Sequence, residues 1–219
     1  MITSAILKIK KLIRATFYNN VQISKKATVN NTETEEYVHL ANYSNISNSK
    51  IGAYTSVGRF SNIFNSHIGK YCSISWNVTV GATQHPLKNL TTHAFPYISM
   101  FDFTDRDNKI VQHTTIGHDV WIGTNVVIMP GVVVNNGSVI GANSVVTKDV
   151  EAYGIYVGAP AKKVDVRFSE SIIATLQKLE WWHWSREKLK KRLHLFRTNL
   201  NEETLHQLMS DIDKNIPSI

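Results

Sequence analysis

Cysteine is nearly absent. Cys72 stands alone in 219 residues, so no disulfide can close within the chain, and the redox compartment stays open. Long apolar runs are missing too: no stretch of about 18 apolar residues occurs, which excludes an ordinary transmembrane helix. Acidic residues are in short supply, with Asp+Glu 17 against Lys+Arg 24 and a net charge of +7. An excess of that size suits nucleic acid, acidic lipid or a polyphosphorylated small ligand, and its position decides among them. The length is enough for one or two domains with a core of their own. A cytoplasmic setting is expected.

What is present is a repeat. From Ile116 to Glu151 an aliphatic residue opens six successive hexads, at Ile116, Ile122, Ile128, Val134, Ile140 and Val146. The fifth position is Val or Ser each time: Val120, Val126, Val132, Ser138, Ser144 and Val150. A helix would scatter such residues around a cylinder, and an ordinary strand would place every second residue, not every sixth, in one kind of site. A period of six fits a coil of short strands and corners. The first position then points into the core, and glycine at the second, as at Gly117, Gly123 and Gly141, makes a bend that a Cβ would hinder. Coils stack by strand pairing at ~4.8 Å per layer, and the aliphatics form internal columns.

Ahead of this stretch, Ile2, Ile6, Ile9 and Ile13 interleave with Lys8, Lys10, Lys11 and Arg14. That spacing predicts an amphipathic basic helix over 1–17, docked on the body or on a neighbouring subunit. Weak contact with an anionic membrane surface is its second reading. Residues 19–36 read as a loop or an imperfect first coil. The repeat starts loosely at Leu40 and Ile46, then sharpens through Ile51, Val57, Ile63, Ile68, Ile74 and Val80, with one five-residue step from Ile63 to Ile68. A one-residue deletion is best absorbed at a corner. Between Val80 and Ile116 the period fails, which predicts an extruded loop over 82–115; loops of that length are usually functional. Its Phe95, Tyr97, Phe101 and Phe103 must pack on something, either the coil or another subunit. After the coil, Ser169 is placed to cap a helix burying Ile172, Ile173, Leu176 and Leu179. Ser185 precedes a basic helix, and Leu205, Leu208 and Ile212 mark a last one. Three segments are expected: 1–36 as helix and connection, 37–165 as β-helix with its loop, and 166–219 as a helical segment.

The hexads resemble those of the hexapeptide-repeat acyltransferases. Asp119-Val-Trp-Ile-Gly, Ile128-Met-Pro-Gly-Val, Gly141-Ala-Asn-Ser-Val-Val-Thr-Lys-Asp-Val, Gly158-Ala-Pro-Ala-Lys-Lys and the tail around Leu179-Glu-Trp-Trp-His-Trp narrow the resemblance to the xenobiotic and polysaccharide O-acetyltransferase branch. It implies a mainly β fold, a left-handed parallel β-helix of triangular section. It also implies a homotrimer with sites between adjacent subunits, and acetyl-CoA as co-substrate with no metal. His85, where coil gives way to loop, matches the family's catalytic histidine. A neutral imidazole there takes the proton of a hydroxyl as it attacks a thioester; the plainer reading is a loop histidine with a satisfied hydrogen bond. For the coenzyme the resemblance points to Thr124, Ala142, Thr147, Lys148 and Lys162, small residues for the pantetheine arm and lysines for phosphates. Where relatives can show a second arginine this chain has Asp165, and Lys163 or Arg167 is the expected substitute.

The acceptor expected first is a hydroxyl of a sugar or a surface-polysaccharide precursor. A streptogramin- or chloramphenicol-type antibiotic is the alternative. A different class, a zinc carbonic anhydrase-like β-helix, is suggested by His113 and His118 five apart with His85 upstream. The coenzyme segments fit it less well. Nucleic acid is not expected, because no basic stripe with interleaved aromatics lies on the coil. Cys72 falls at a fifth position and is read as core packing, so direct transfer is preferred over an acyl-cysteine route.

Overall fold

A computed structural model describes residues 20–108 and 111–213; the helix expected over 1–17 lies outside the described residues. Among the described residues, short strands, parallel from one turn to the next, form three sheets of eight, six and five strands, visited in turn as the chain winds. Each turn leaves the eight-stranded sheet at a first corner, the six-stranded sheet at a second and the five-stranded sheet at a third. This is a parallel β-helix. Residues 20–36 belong to it, since Gln22–Ile23, Thr28–Asn30 and Glu33–Thr34 pair with the next turn. Of the two readings for that stretch, the imperfect first coil is the one observed.

The columns are those the hexads predict. Leu40, Ile46, Ile51, Val57, Ile63, Ile122, Ile128 and Ile140 are all buried in one apolar cluster. Fifth-position hydroxyls, buried beside them, are satisfied by backbone carbonyls: Thr55 Oγ1 donates to Gly69 O at 2.8 Å and Ser61 Oγ to Ser75 O at 2.9 Å. Glycine at the second position is a requirement of close stacking. A Cβ on Gly69 would lie 2.4 Å from the Gly117 carbonyl oxygen of the next turn.

The five-residue step is a correction to the sequence reading. It occurs not only from Ile63 to Ile68 but also from Val29 to Thr34 and from Ile46 to Ile51, always between the six- and five-stranded sheets. Asn31, Asn48 and Asn65 stand at that second corner with φ of 42°, 50° and 47°. A left-handed residue turns the chain within fewer positions, and asparagine tolerates it better than most. Turns below the loop accordingly pair at an offset of 17 residues, as in His39↔Ser56, and turns above it at 18, as in Trp121↔Val139, until the last, where Val139↔Ile155 pairs at 16. The loop also ends earlier than expected, because Thr114–Ile116 already pairs with Ser66–Ile68.

The chain divides into two compact units, Met1–Asp165 and Val166–Ile219. In the second, Ser169 accepts from Ile172 N to cap the helix Glu170–Leu179, in which Ile172 and Leu176 are buried while Ile173 and Leu179 are half-buried. Ser185 caps Arg186–Lys191, and Glu202–Asp213 follows with Leu205 and Leu208 buried; the side chain of Ile212 lies outside the described residues. Trp182 is buried, and the Lys188 ammonium sits 4.0 Å from the centre of the Trp184 ring. Among the described residues no helix is long and apolar enough to cross a membrane.

Candidate active site

The loop departs from the second corner. The six-stranded sheet delivers Thr79–Val80, Gly81 turns with φ of 68°, and the chain returns at Thr114. His85 lies four residues past Gly81 and is exposed. Its Nδ1 is 2.6 Å from the Thr92 carbonyl oxygen. A carbonyl only accepts, so Nδ1 carries a proton, and in the neutral ring Nε2 keeps its lone pair. That is the tautomer a general base needs, with the ring held by the loop's own backbone. Sequence reasoning missed Thr92, because a backbone acceptor leaves no side-chain signature.

The rest of the loop folds largely on itself. Phe95 and Phe103 pack with ring centres 4.9 Å apart, His93 meets the edge of Phe101 at 5.1 Å, and Asp107 Oδ1 accepts from both Ser99 N and Ser99 Oγ. Phe103, Met100, Leu87 and Leu90 nevertheless remain strongly exposed.

The expected coenzyme residues fall on two corners. Thr124 and Ala142 stack at the first, one turn apart, with Thr124 Oγ1 donating to Trp76 O at 3.0 Å. Exposed Trp76 is a second residue that sequence reasoning passed over. Thr147 and Lys148 are exposed at the second corner, two layers above the loop's departure, which is ~10 Å at the strand spacing. The Gly158–Ala161 turn closes over the six-stranded sheet, with Val145 N donating to Gly158 O and Ala161 N to Val145 O. It delivers exposed Lys162. Lys163 is engaged by Glu151 at 2.5 Å, so as an arginine substitute it would first have to leave a carboxylate. Arg167 belongs to the second unit, over its neighbour Phe168 at 5.1 Å.

His113 and His118 have partners of their own. His118 Nδ1 accepts from Lys70 N at 2.9 Å, while His113 lies beside His67 with ring centres 6.1 Å apart. Among the described residues no three His, Cys, Asp or Glu side chains form a metal-holding group. Cys72 is buried, its Sγ 3.0 Å from Gly117 O, and burial pushes the thiol up to about 12. A thiol that stays protonated at neutral pH is a poor nucleophile, in line with core packing.

Residues 113–148 match the family described as bacterial transferase hexapeptide (six repeats). Over that stretch the chain carries the hexapeptide repeats of this family. The repeat covers a minority of its length. A probable macrolide acetyltransferase of Lysinibacillus sphaericus is 48% identical over 101 residues, 46% of this chain and 54% of that protein. A chloramphenicol acetyltransferase of Klebsiella aerogenes is 53% identical over 78 residues, 36% of this chain and 37% of that one. The chain thus spans about half the length, or less, of these curated relatives. A crystal structure of an N-acyltransferase from Bacillus cereus, in complex with dTDP-4-amino-4,6-dideoxyglucose and coenzyme A, superposes with a TM-score of 0.62 over 78% of this chain and 95% of that one. At 21% identity this likeness shows the fold alone.

Proposed function

We propose that this hexapeptide-repeat protein is an acetyl-CoA-dependent O-acetyltransferase, acting on a hydroxyl of a sugar or surface-polysaccharide precursor with His85 as general base. The observation that carries it is the His85–Thr92 contact at 2.6 Å, which leaves Nε2 as a proton acceptor at the loop's root. The coenzyme supplies an acyl thioester. His85 Nε2 takes the acceptor's hydroxyl proton as the new C–O bond forms and returns it to the departing sulfur as C–S breaks, so the enzyme ends unchanged. Lys148 and Lys162, exposed and with no partnering carboxylate among the described residues, are assigned to the coenzyme's phosphates.

A homotrimer belongs to this reading, and the two-corner distribution supports it. Thr124 and Ala142 are separated from His85, Thr147 and Lys148 by the width of the six-stranded sheet. A site using both sets takes the first corner of one copy and the second corner of another. Antibiotic acetylation is the second reading, favoured by the macrolide and chloramphenicol acetyltransferases among the relatives and by the exposed Leu87, Met100 and Phe103.

Calorimetry with coenzyme A, together with an acceptor screen followed by free thiol release, tests the activity. Wild type is expected to bind the coenzyme, and Lys148→Ala to bind it roughly ten- to a hundredfold more weakly, as the loss of one charge-assisted bond implies. Wild-type protein that binds no coenzyme A would sink the acetyltransferase reading. Light scattering giving a stable monomer would remove the shared site.

A further inference from the structure

Below the loop's return limb, the second corner and the outer face of the five-stranded sheet enclose an open cleft of about 470 Å³. That lies within the roughly 300–1,000 Å³ of small-molecule sites. Its wall is the asparagine corner. Asn31 Nδ2 donates to Asn48 Oδ1 at 2.9 Å, and Asn48 Nδ2 to Asn65 Oδ1 at 3.4 Å. A primary amide has two N–H groups and an oxygen with two lone pairs, so each member of such a ladder keeps a donor or an acceptor beyond its ladder bonds. The floor is the run of residues facing outward from successive strands, Lys50, His67 and then His113 just before Thr114. The charge is balanced, because Lys50 Nζ meets Glu33 Oε2 at 3.1 Å. Val111 supplies the one large apolar side chain in the lining.

We propose that this cleft holds an uncharged sugar of the acceptor, hydrogen-bonded by the asparagine ladder, Lys50, His67 and His113. The inference rests on the acetyltransferase reading and narrows its acceptor class. A wall rich in paired donors and acceptors, with balanced charge and little apolar surface, matches a polyol's hydroxyls; an apolar macrocycle would leave those polar groups unpaired at a cost. Place supports it as well. The cleft and His85 share one corner, the chain leaving it at Gly81 for His85 and returning past the cleft at His113.

The test uses the full chain with methyl β-galactopyranoside and methyl α-glucopyranoside as probes and chloramphenicol as the apolar comparator. Saturation-transfer NMR is run on wild type, Lys50→Ala and His67→Ala, whose side chains are exposed and lie outside the core. Transfer to at least one glycoside is expected with wild type. Each variant should weaken it about three- to tenfold, the loss of one ordinary hydrogen bond, and affinity for coenzyme A should not change. Equal transfer in wild type and both variants, or transfer to chloramphenicol alone, overturns the proposal. Calorimetry with coenzyme A on the same preparations separates the two failures: coenzyme binding without glycoside transfer sinks the cleft alone, and no coenzyme binding sinks the enzyme reading.

Discussion

The turns before the loop and those after it share one core and are built by different corner chemistry. Below, the chain advances 17 residues per turn, with bulky left-handed residues at its first and third corners and asparagines at its second. Tyr37, Tyr54 and Tyr71 stack at the third corner with ring centres 4.7 and 4.8 Å apart, and Tyr43 and Phe60 at the first at 5.0 Å. Above, the chain advances 18 residues per turn until the last, which advances 16, and the corners carry Asp119, Asn125, Asn143, Gly131 and Gly137, with a tyrosine, Tyr153, only at the final one. A Cβ on Gly137 would meet the Tyr153 ring at 2.4 Å, and one on Gly58 the Ser75 carbonyl oxygen at 2.4 Å, so both halves have corners with room for glycine alone. The family match falls on the upper turns alone. The interior column is therefore the constant of the fold, and the corners are where its two halves take on different work: the coenzyme residues of the proposal stand above, the polar cleft below, and His85 between them.

The largest effect is expected at that seam. His85→Ala should lower turnover by ~10²–10⁴ and leave melting and coenzyme affinity alone, since the side chain is exposed and belongs to no column. Steady-state kinetics beside thermal unfolding measures it; a variant with wild-type turnover would take His85 out of the chemistry.

Next come the columns themselves. Ile63 below and Ile128 above are both fully buried members of the same cluster. Truncating either to Ala should cost about 2–5 kcal/mol in denaturant unfolding, with one shared transition. A loss below about 1 kcal/mol at one site only, or two separate transitions, would mean that the halves fold as separate cores.

The lower half should also be the alkaline-sensitive one. Burial raises Cys72 from 9.0 to about 12. Burial, then the nearby Tyr54 and Glu36, raises Tyr71 from 10.0 to about 12. In both cases the folded state holds a proton that the unfolded chain has released, so unfolding is favoured as pH rises. The stabilisation is complete below about 9 and is lost progressively toward about 12. Cys72→Val, the residue found at other fifth positions, should flatten the decline of stability between those limits. An unchanged slope would leave the thiol out of the effect.

Why some of this was legible and some was not follows from where the information resides. The aliphatic columns are written in the sequence because every sixth residue meets the same environment, and the extruded loop is visible as lost register. Two five-residue steps escaped because Val29→Thr34 and Ile46→Ile51 lie where the repeat is loose, and Thr34 is not aliphatic. The tyrosine corners were hidden because tyrosine rarely adopts positive φ, and only stacking on the turn below and the turn above makes it worthwhile. The division of the candidate coenzyme residues between two corners emerges only once each hexad is assigned to a sheet. Lys163's engagement with Glu151 depends on how the final turn closes, which no spacing encodes.

The smallest expected effect separates backbone from ladder at the corner that makes the lower turns short. Asn48 has a φ of 50° and both donates and accepts in the ladder. Asn48→Gly removes the two side-chain bonds but keeps a residue at ease with positive φ. The bonds are exposed, so the loss should be about 0.5 kcal/mol or less, at or below the low end of the usual range. Asn48→Ala removes the same bonds and adds the clash of a Cβ in the left-handed region, about 1–2 kcal/mol more. The difference between the two variants measures backbone strain, and the glycine variant alone measures the ladder. At the same corner above the loop the chain already uses Gly131, with φ of 81°. Chemical denaturation that ranks glycine near wild type and alanine clearly below it would show that left-handed geometry, not the asparagine ladder, holds the 17-residue turn. If glycine proves as costly as alanine, the ladder is the structural element and the turns below the loop depend on their side chains as much as on their backbone.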